Sequence, residues 1–279
     1  MYKRQRLGCV IVDSVSLARA LSRLPQLAVL DLNGCASDPS GATTLAPALG
    51  LLTALSSIGL ADNALGAAGA AALEPALRCL TALARLDLSR NDVGAAGAAA
   101  LAPAVHCLTA LTTVELGNNG IGDAGAAALA PALARLSWLA HLGLQRNGIG
   151  AAGAAALAPA LLSLRALERL VMFDNPVGDG GVRRLLPALA RLPRLRSLWF
   201  GDGHGISGDG RAALRASLPA SVEVSAIWIR NCGCKLECTV RPDLRKLVLL
   251  TACVGYHACV WRQLLRGYVQ AVYDRILSL

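Results

Sequence analysis

The stretch Leu83–Val93, LARLDLSRNDV, returns every 28 residues without a slip. With Leu83 as position 1, that column reads Leu27, Leu55, Leu83, Leu111, Leu139, Leu167 and Leu195. Position 4 reads Leu30, Ile58, Leu86, Val114, Leu142, Leu170 and Leu198. Position 6 reads Leu32, Leu60, Leu88, Leu116, Leu144, Met172 and Phe200. Position 9 reads Cys35, Asn63, Asn91, Asn119, Asn147, Asn175 and Gly203. One residue inserted near His204 leads to a further unit, Val224, Ile227, Ile229 and Cys232, and a shorter unit, Leu7, Val10 and Val12, precedes the first. A fixed period of this length means stacked units, none of which can bury its own apolar side.

Each column has a physical reason. Positions 4 and 6 are two apart, so on a strand both point to one face, and stacked strands make a parallel sheet over a continuous core. Asn at position 9 can donate and accept, and so satisfies backbone groups that have left the sheet; Cys35 and Cys232 are small substitutes there. Gly66, Gly94, Gly122 and Gly150 mark the turn into Ala-rich segments, such as 95–108, that favour helix. Strands ~4.8 Å apart must match helices ~10 Å apart, which bends the stack with the sheet inside. Pro47, Pro75, Pro103, Pro131, Pro159 and Pro187 share one column in mid-helix. The expectation is a kink there, or a helix that restarts with Pro in its first turn.

The formula L-x-x-L-x-L-x-x-N-x-[IV]-G-x-x-G-A-x-A-L resembles the ribonuclease-inhibitor-like class of leucine-rich repeats, which includes the repeat regions of NOD-like receptors and of Ran GTPase-activating proteins. The resemblance covers about residues 7–232. It implies an α/β fold: a right-handed horseshoe of about eight strand-turn-helix units with a parallel sheet on its concave face. It also implies protein recognition rather than catalysis, in a sensor or scaffold portion of a larger protein. The alternative is GTPase activation of the Ran type, for which Arg90 and Asp92, flanking Asn91, are the local candidates. The acidic tail of that family is absent, since 241–279 holds six Lys or Arg against two Asp.

The remaining composition narrows the partners. The net charge of +9 is carried by 24 Arg and 3 Lys scattered through the repeats, with no basic run interleaved with aromatics, so nucleic acid is not the expected partner. Hydrophobic content is 54%, much of it alanine in the repeat helices, and no run of 18 apolar residues could span a bilayer, so a membrane partner is not expected either. Nine cysteines, an odd number, and the lack of an N-x-[ST] acceptor point to a reducing, cytoplasmic setting. Cys79 and Cys107 share a column in adjacent units, too far apart for a disulfide. Cys232, Cys234, Cys238, Cys253, His257 and Cys259 lack a usual zinc spacing. The four histidines sit in different elements, and the Gly-x-x-Gly pairs have no G-K-[ST]. No metal, cofactor or small-molecule substrate is expected.

Along the chain, Met1–Gln5 (MYKRQ) reads as the translation of a transposon end, so residues 1–5 are expected to be non-native and the gene to continue upstream. Residues 6–232 form the solenoid, opening with a strand at about 8–12 and a helix carrying Leu17, Leu21 and Leu24. The segment 201–207 is a longer surface turn or a partner-contacting loop. Residues 233–279 are a divergent last unit with an amphipathic helix (Trp261, Leu264, Leu265, Tyr268) that caps the core, lies on a membrane surface, or is non-native. The expected binding site is the concave face, at positions 3, 5, 7 and 8. Its early half is acidic, with Asp31, Asp87 and Glu115, and holds Arg85 and Arg90. Its middle and late part offers His141, Arg146, Arg169, Phe173, Trp199 and Trp228, with the two Trp side by side. Three of the chain's ten aromatics on one surface suggest a protein-binding hot spot; the alternative is that the C-terminal segment covers them.

Overall fold

The computed structural model describes residues 4–6, 14–35, 38–200 and 205–225, all within one compact unit, Met1–Ile229. Strands and helices alternate throughout: β1 (Arg4–Arg6), α1 (Ser14–Leu21), β2 (Val29–Asp31), α2 (Pro39–Gly50), β3 (Ser57–Gly59), α3 (Gly66–Cys79), β4 (Arg85–Asp87), α4 (Gly94–Cys107), β5 (Thr113–Glu115), α5 (Gly122–Leu133), β6 (His141–Gly143), α6 (Ala151–Ser163), β7 (Arg169–Val171), α7 (Gly178–Leu189), β8 (Ser197–Trp199), α8 (Gly208–Ser217) and β9 (Glu223–Ser225). The strands form one parallel sheet in chain order. From β2 to β8 each residue pairs with its equivalent one repeat on, as in Leu86↔Val114. The leucine columns at positions 1, 4 and 6 are buried together with Leu73, Leu101, Leu129, Leu157 and Leu185 from the helices, giving one core that runs from unit to unit.

The asparagine column forms a ladder along that core. Asn119 Nδ2 donates to the carbonyls of Leu88 and Leu116, both at 2.9 Å. Its Oδ1 accepts from Asn91 N at 2.9 Å and, at 3.4 Å, from Val93 N. Asn91, Asn147 and Asn175 repeat the pattern with their neighbours. Each amide therefore satisfies backbone groups of its own turn and of the preceding one. Cys35, at the head of this column, is half-buried and packs against the core.

The second glycine of each Gly-x-x-Gly is set by packing. A Cβ on Gly97, Gly125 or Gly181 would lie 3.0–3.1 Å from a backbone Cα of the preceding helix, so only glycine lets the helices approach this closely. The first glycine is set by conformation: Gly66, Gly94, Gly122 and Gly178 have φ of +60° to +64°. Gly150 differs, with φ −93°. Its N–H goes to Asp123 Oδ1 at 2.6 Å, and Gly153 N joins it at 2.9 Å, so a carboxylate from α5 caps α6.

Two expectations change. Of the two readings of the proline column the restart is overturned, because the helices run on through all six prolines. Each proline lies on the exposed face, and so does the residue four before it in all units but one, where Ala155 is half-buried. The carbonyl that loses its donor is thus turned toward water, which reduces the cost. The first described strand is Arg4–Arg6, paired with Val29–Asp31, and the strand expected at 8–12 lies outside the described residues. The last described strand pairs Leu198 with Val224, so Val224 takes position 4 where Ile227 was expected. Helix α8 is short and its chain returns to the sheet early, where the V-x-V of 222–224 supplies the alternating apolar pair.

Candidate functional site

Within β2 to β5 and β8 the middle residue is buried and the flanking two look outward from the core. Those outward residues form two rows across the sheet. One row reads Val29, Ser57, Arg85, Thr113, His141, Arg169, Ser197; the other reads Asp31, Gly59, Asp87, Glu115, Gly143, Val171, Trp199. The early and late parts of this face differ in how their polar groups are used.

In the early part the side chains turn to one another. Asp87 is half-buried and accepts Ser89 N at 3.0 Å. Burial holds its carboxyl above the usual carboxylate range; the bonds from Ser89 oppose this, and the nearby Glu115 and Asp31 charges add to it. Glu115 leans across the bare backbone of Gly143, where a Cβ would collide with Oε2, and its Oε1 meets His141 Nε2 at 2.5 Å. Gln145 lies in the same way over Gly117. Arg90 faces Asp62 at 3.6 Å. Arg85 is exposed.

The late part keeps its surface open. Arg169 is half-buried and, among the described residues, makes no ion pair. Val171 is buried beside it, and its register partner Trp199 is half-buried, as is Phe173. The Trp199 indole N–H donates to Ser197 Oγ at 2.6 Å, so the polar edge is satisfied while the ring remains available. Arg146 Nε donates to Asp174 Oδ2 at 2.8 Å. Arg90 and Arg146 share a turn position at which Asp62, Asn118 and Asp174 also have left-handed backbone, with φ of 55–61°. For a side chain other than glycine that conformation costs ~1–2 kcal/mol.

The residue paired with Trp199 is Ser225. Trp228, the cysteine- and histidine-bearing segment from Cys232 to Cys259, the 201–204 part of the longer turn, and the proposed C-terminal cap lie outside the described residues. Cys79 and Cys107 are free thiols, and no group of metal-ligating side chains is assembled among the described residues. Reading the strand columns missed Trp138, which is 67% exposed on the turn between α5 and β6. The signal was present: in the neighbouring units its position holds Ala82, Ala110 and Ala166.

The family model described as Leucine Rich repeat matches residues 79–102, 108–130 and 135–158, the same units in which the asparagine ladder and the one-repeat strand register are unbroken. The fold is a leucine-rich-repeat solenoid. No curated protein sequence matches it. Among solved structures, it overlaps an internalin from Listeria monocytogenes at 19% identity, over 75% of this chain and 76% of that one, with a TM-score of 0.30. A leucine-rich-repeat protein of Leptospira interrogans gives 18% identity, 74% and 62% coverage and a TM-score of 0.32. The Arabidopsis receptor kinase HAESA, solved with the peptide hormone IDA and the co-receptor SERK1, gives 16%, 64% and 35%, and 0.37. These overlaps are too loose to add to the argument, and the assignment rests on the repeat match and the geometry. The leucine-rich-repeat fold commonly serves protein–protein interaction.

Proposed function

We propose that this leucine-rich-repeat protein is a non-enzymatic recognition module, a sensor or scaffold of the ribonuclease-inhibitor-like kind working in the cytoplasm. A protein partner docks on the outward rows of the sheet. The observation that carries this reading is the late part of the face, where Phe173 and Trp199 flank Val171 beside Arg169, which makes no ion pair among the described residues. Aromatic rings and arginine are the side chains that dominate binding energy at protein interfaces. Here the Trp199 N–H is already satisfied, so docking onto the ring strands no buried donor. GTPase activation, the alternative, would draw on Arg90, which is engaged by Asp62.

A peptide-display selection against the full chain tests the reading. Selected peptides are expected to lose about tenfold or more in affinity on Trp199→Ala, with the thermal melt unchanged. Retention of full affinity on both Trp199→Ala and Phe173→Ala would remove this face as the docking surface.

A further inference from the structure

All helices run the same way through the stack, so every helix-to-strand turn lies along one edge of the sheet–helix slab. That edge has an unusual composition. The five residues that close each unit, from 22–26 through 190–194, contain no Asp or Glu in any unit. Arginine at the negative ends of the helix dipoles accounts for part of this pattern. The dipole does not account for what stands among the arginines. In consecutive turns the edge carries Arg135 and Trp138, then Leu162 and Arg165, then Arg191 and Arg194. Trp138 is 67% exposed and Leu162 37% exposed. Since Ala110 and Ala166 hold the equivalent places on either side, the indole projects above its row with no groove around it. All four arginines are exposed, and among the described residues none forms an ion pair.

We propose that this edge lies on an anionic lipid bilayer, with Trp138 and Leu162 entering the headgroup region and the four arginines meeting lipid phosphates. The charge complementarity is direct: guanidinium groups bind phosphate in bidentate fashion, and the one carboxylate in the turns leading into β2 to β8, Glu168, faces Arg196 at 4.0 Å, so little on this edge repels an anionic surface. Indole rings partition to the membrane–water interface, and a soft interface accepts a projecting ring without a preformed pocket. The sequence argument against a membrane concerned spanning segments, and no described helix is long and apolar enough to cross one. A peripheral contact needs no such helix. The edge is separate from the outward face of the strands, so the chain can hold a bilayer and a protein partner together.

Vesicle co-flotation of the full chain tests this with phosphatidylcholine alone and with roughly 30% phosphatidylserine added. Binding to the anionic vesicles is expected to exceed binding to the neutral ones about tenfold and to weaken with salt. Trp138→Ala and the double variant Arg165→Glu/Arg194→Glu should each lower it about tenfold, while Trp199→Ala leaves it unchanged. All these side chains except Trp199 are exposed, and matching thermal melts show that each variant folds. Wild-type binding by the edge variants, or equal binding to neutral vesicles, would overturn the proposal. So would tighter binding of a short single-stranded RNA that depends equally on Trp138, because the edge would then be a nucleic-acid surface.

Discussion

The early and late parts of the strand face stand on the same scaffold and do opposite things with it. Asn119 and Asn175 bind equivalent backbone groups in the units of Glu115 and Phe173, and apolar side chains fill the inward positions throughout, Leu86, Leu88, Val114 and Leu116 in the early part and Leu170, Met172, Leu198 and Phe200 in the late part. On the surface the early part is closed upon itself: Glu115 takes His141, Asp87 takes Ser89 N, and Asp62 takes Arg90. The late part leaves Arg169 without an ion pair among the described residues and the Trp199 ring half-exposed. Fold and recognition are therefore carried by different columns of one repeat, and the recognition columns can change while the scaffold stays constant.

The largest effect should come from the scaffold and be alike in both parts. Asn119→Ala and Asn175→Ala each remove donors to buried carbonyls and the acceptor of a buried N–H. Each should cost about 3 kcal/mol or more in urea unfolding. A clear difference between the two variants would show that the scaffold is not uniform beneath the face.

A pair of glycine substitutions sharpens the contrast between scaffold and surface. Gly97→Ala drives a methyl against the Ala67 Cα and the Val93 side chain, neither of which can swing away, and should cost about 1–3 kcal/mol. Gly143→Ala meets the tip of Glu115 and, at 3.1 Å, that of Gln145, both of which can move. It should cost under about 1 kcal/mol while parting Glu115 from His141, visible as moved His141 ring resonances by NMR. An equal loss of stability in both would mean that the Glu115–His141 pair belongs to the scaffold.

The smallest effect concerns Asp87. Its carboxyl is held above the ordinary value of 3.8, mainly by burial. The folded protein then binds more protons than the unfolded chain in the window above 3.8, and stability contributed by the protonated form falls as pH rises through that window. Asp87→Asn is neutral throughout, so it should melt slightly higher than wild type at about pH 7, with the advantage gone below about pH 4. A lower melting temperature at about pH 7 would mean that the bonds from Ser89 outweigh burial.

Much of this was legible before the structure. The 28-residue columns located strands β2 to β8, the buried leucines and the role of Asn119, because each column obeys one physical demand repeated in every unit. The helix restart expected at the prolines does not occur: sequence gives the missing N–H but not that Pro75 or Pro103 faces water. Register failed where the repeat frays. Val222–Val224 and Ile227–Ile229 both offer an apolar alternation, and the shortness of α8 decides between them. The site residues could be assigned to the outward rows by period alone. That Glu115 is committed to His141 depended on Gly143 lying bare beside it, a relation between units that no single column records.

The central claim is that recognition is concentrated in the late part of the face. One binder selected on the wild-type chain, titrated by calorimetry against Trp199→Ala and Glu115→Gln, tests it most directly. The account predicts that Kd rises about tenfold or more for Trp199→Ala and less than about threefold for Glu115→Gln. A larger loss on Glu115→Gln than on Trp199→Ala would contradict it.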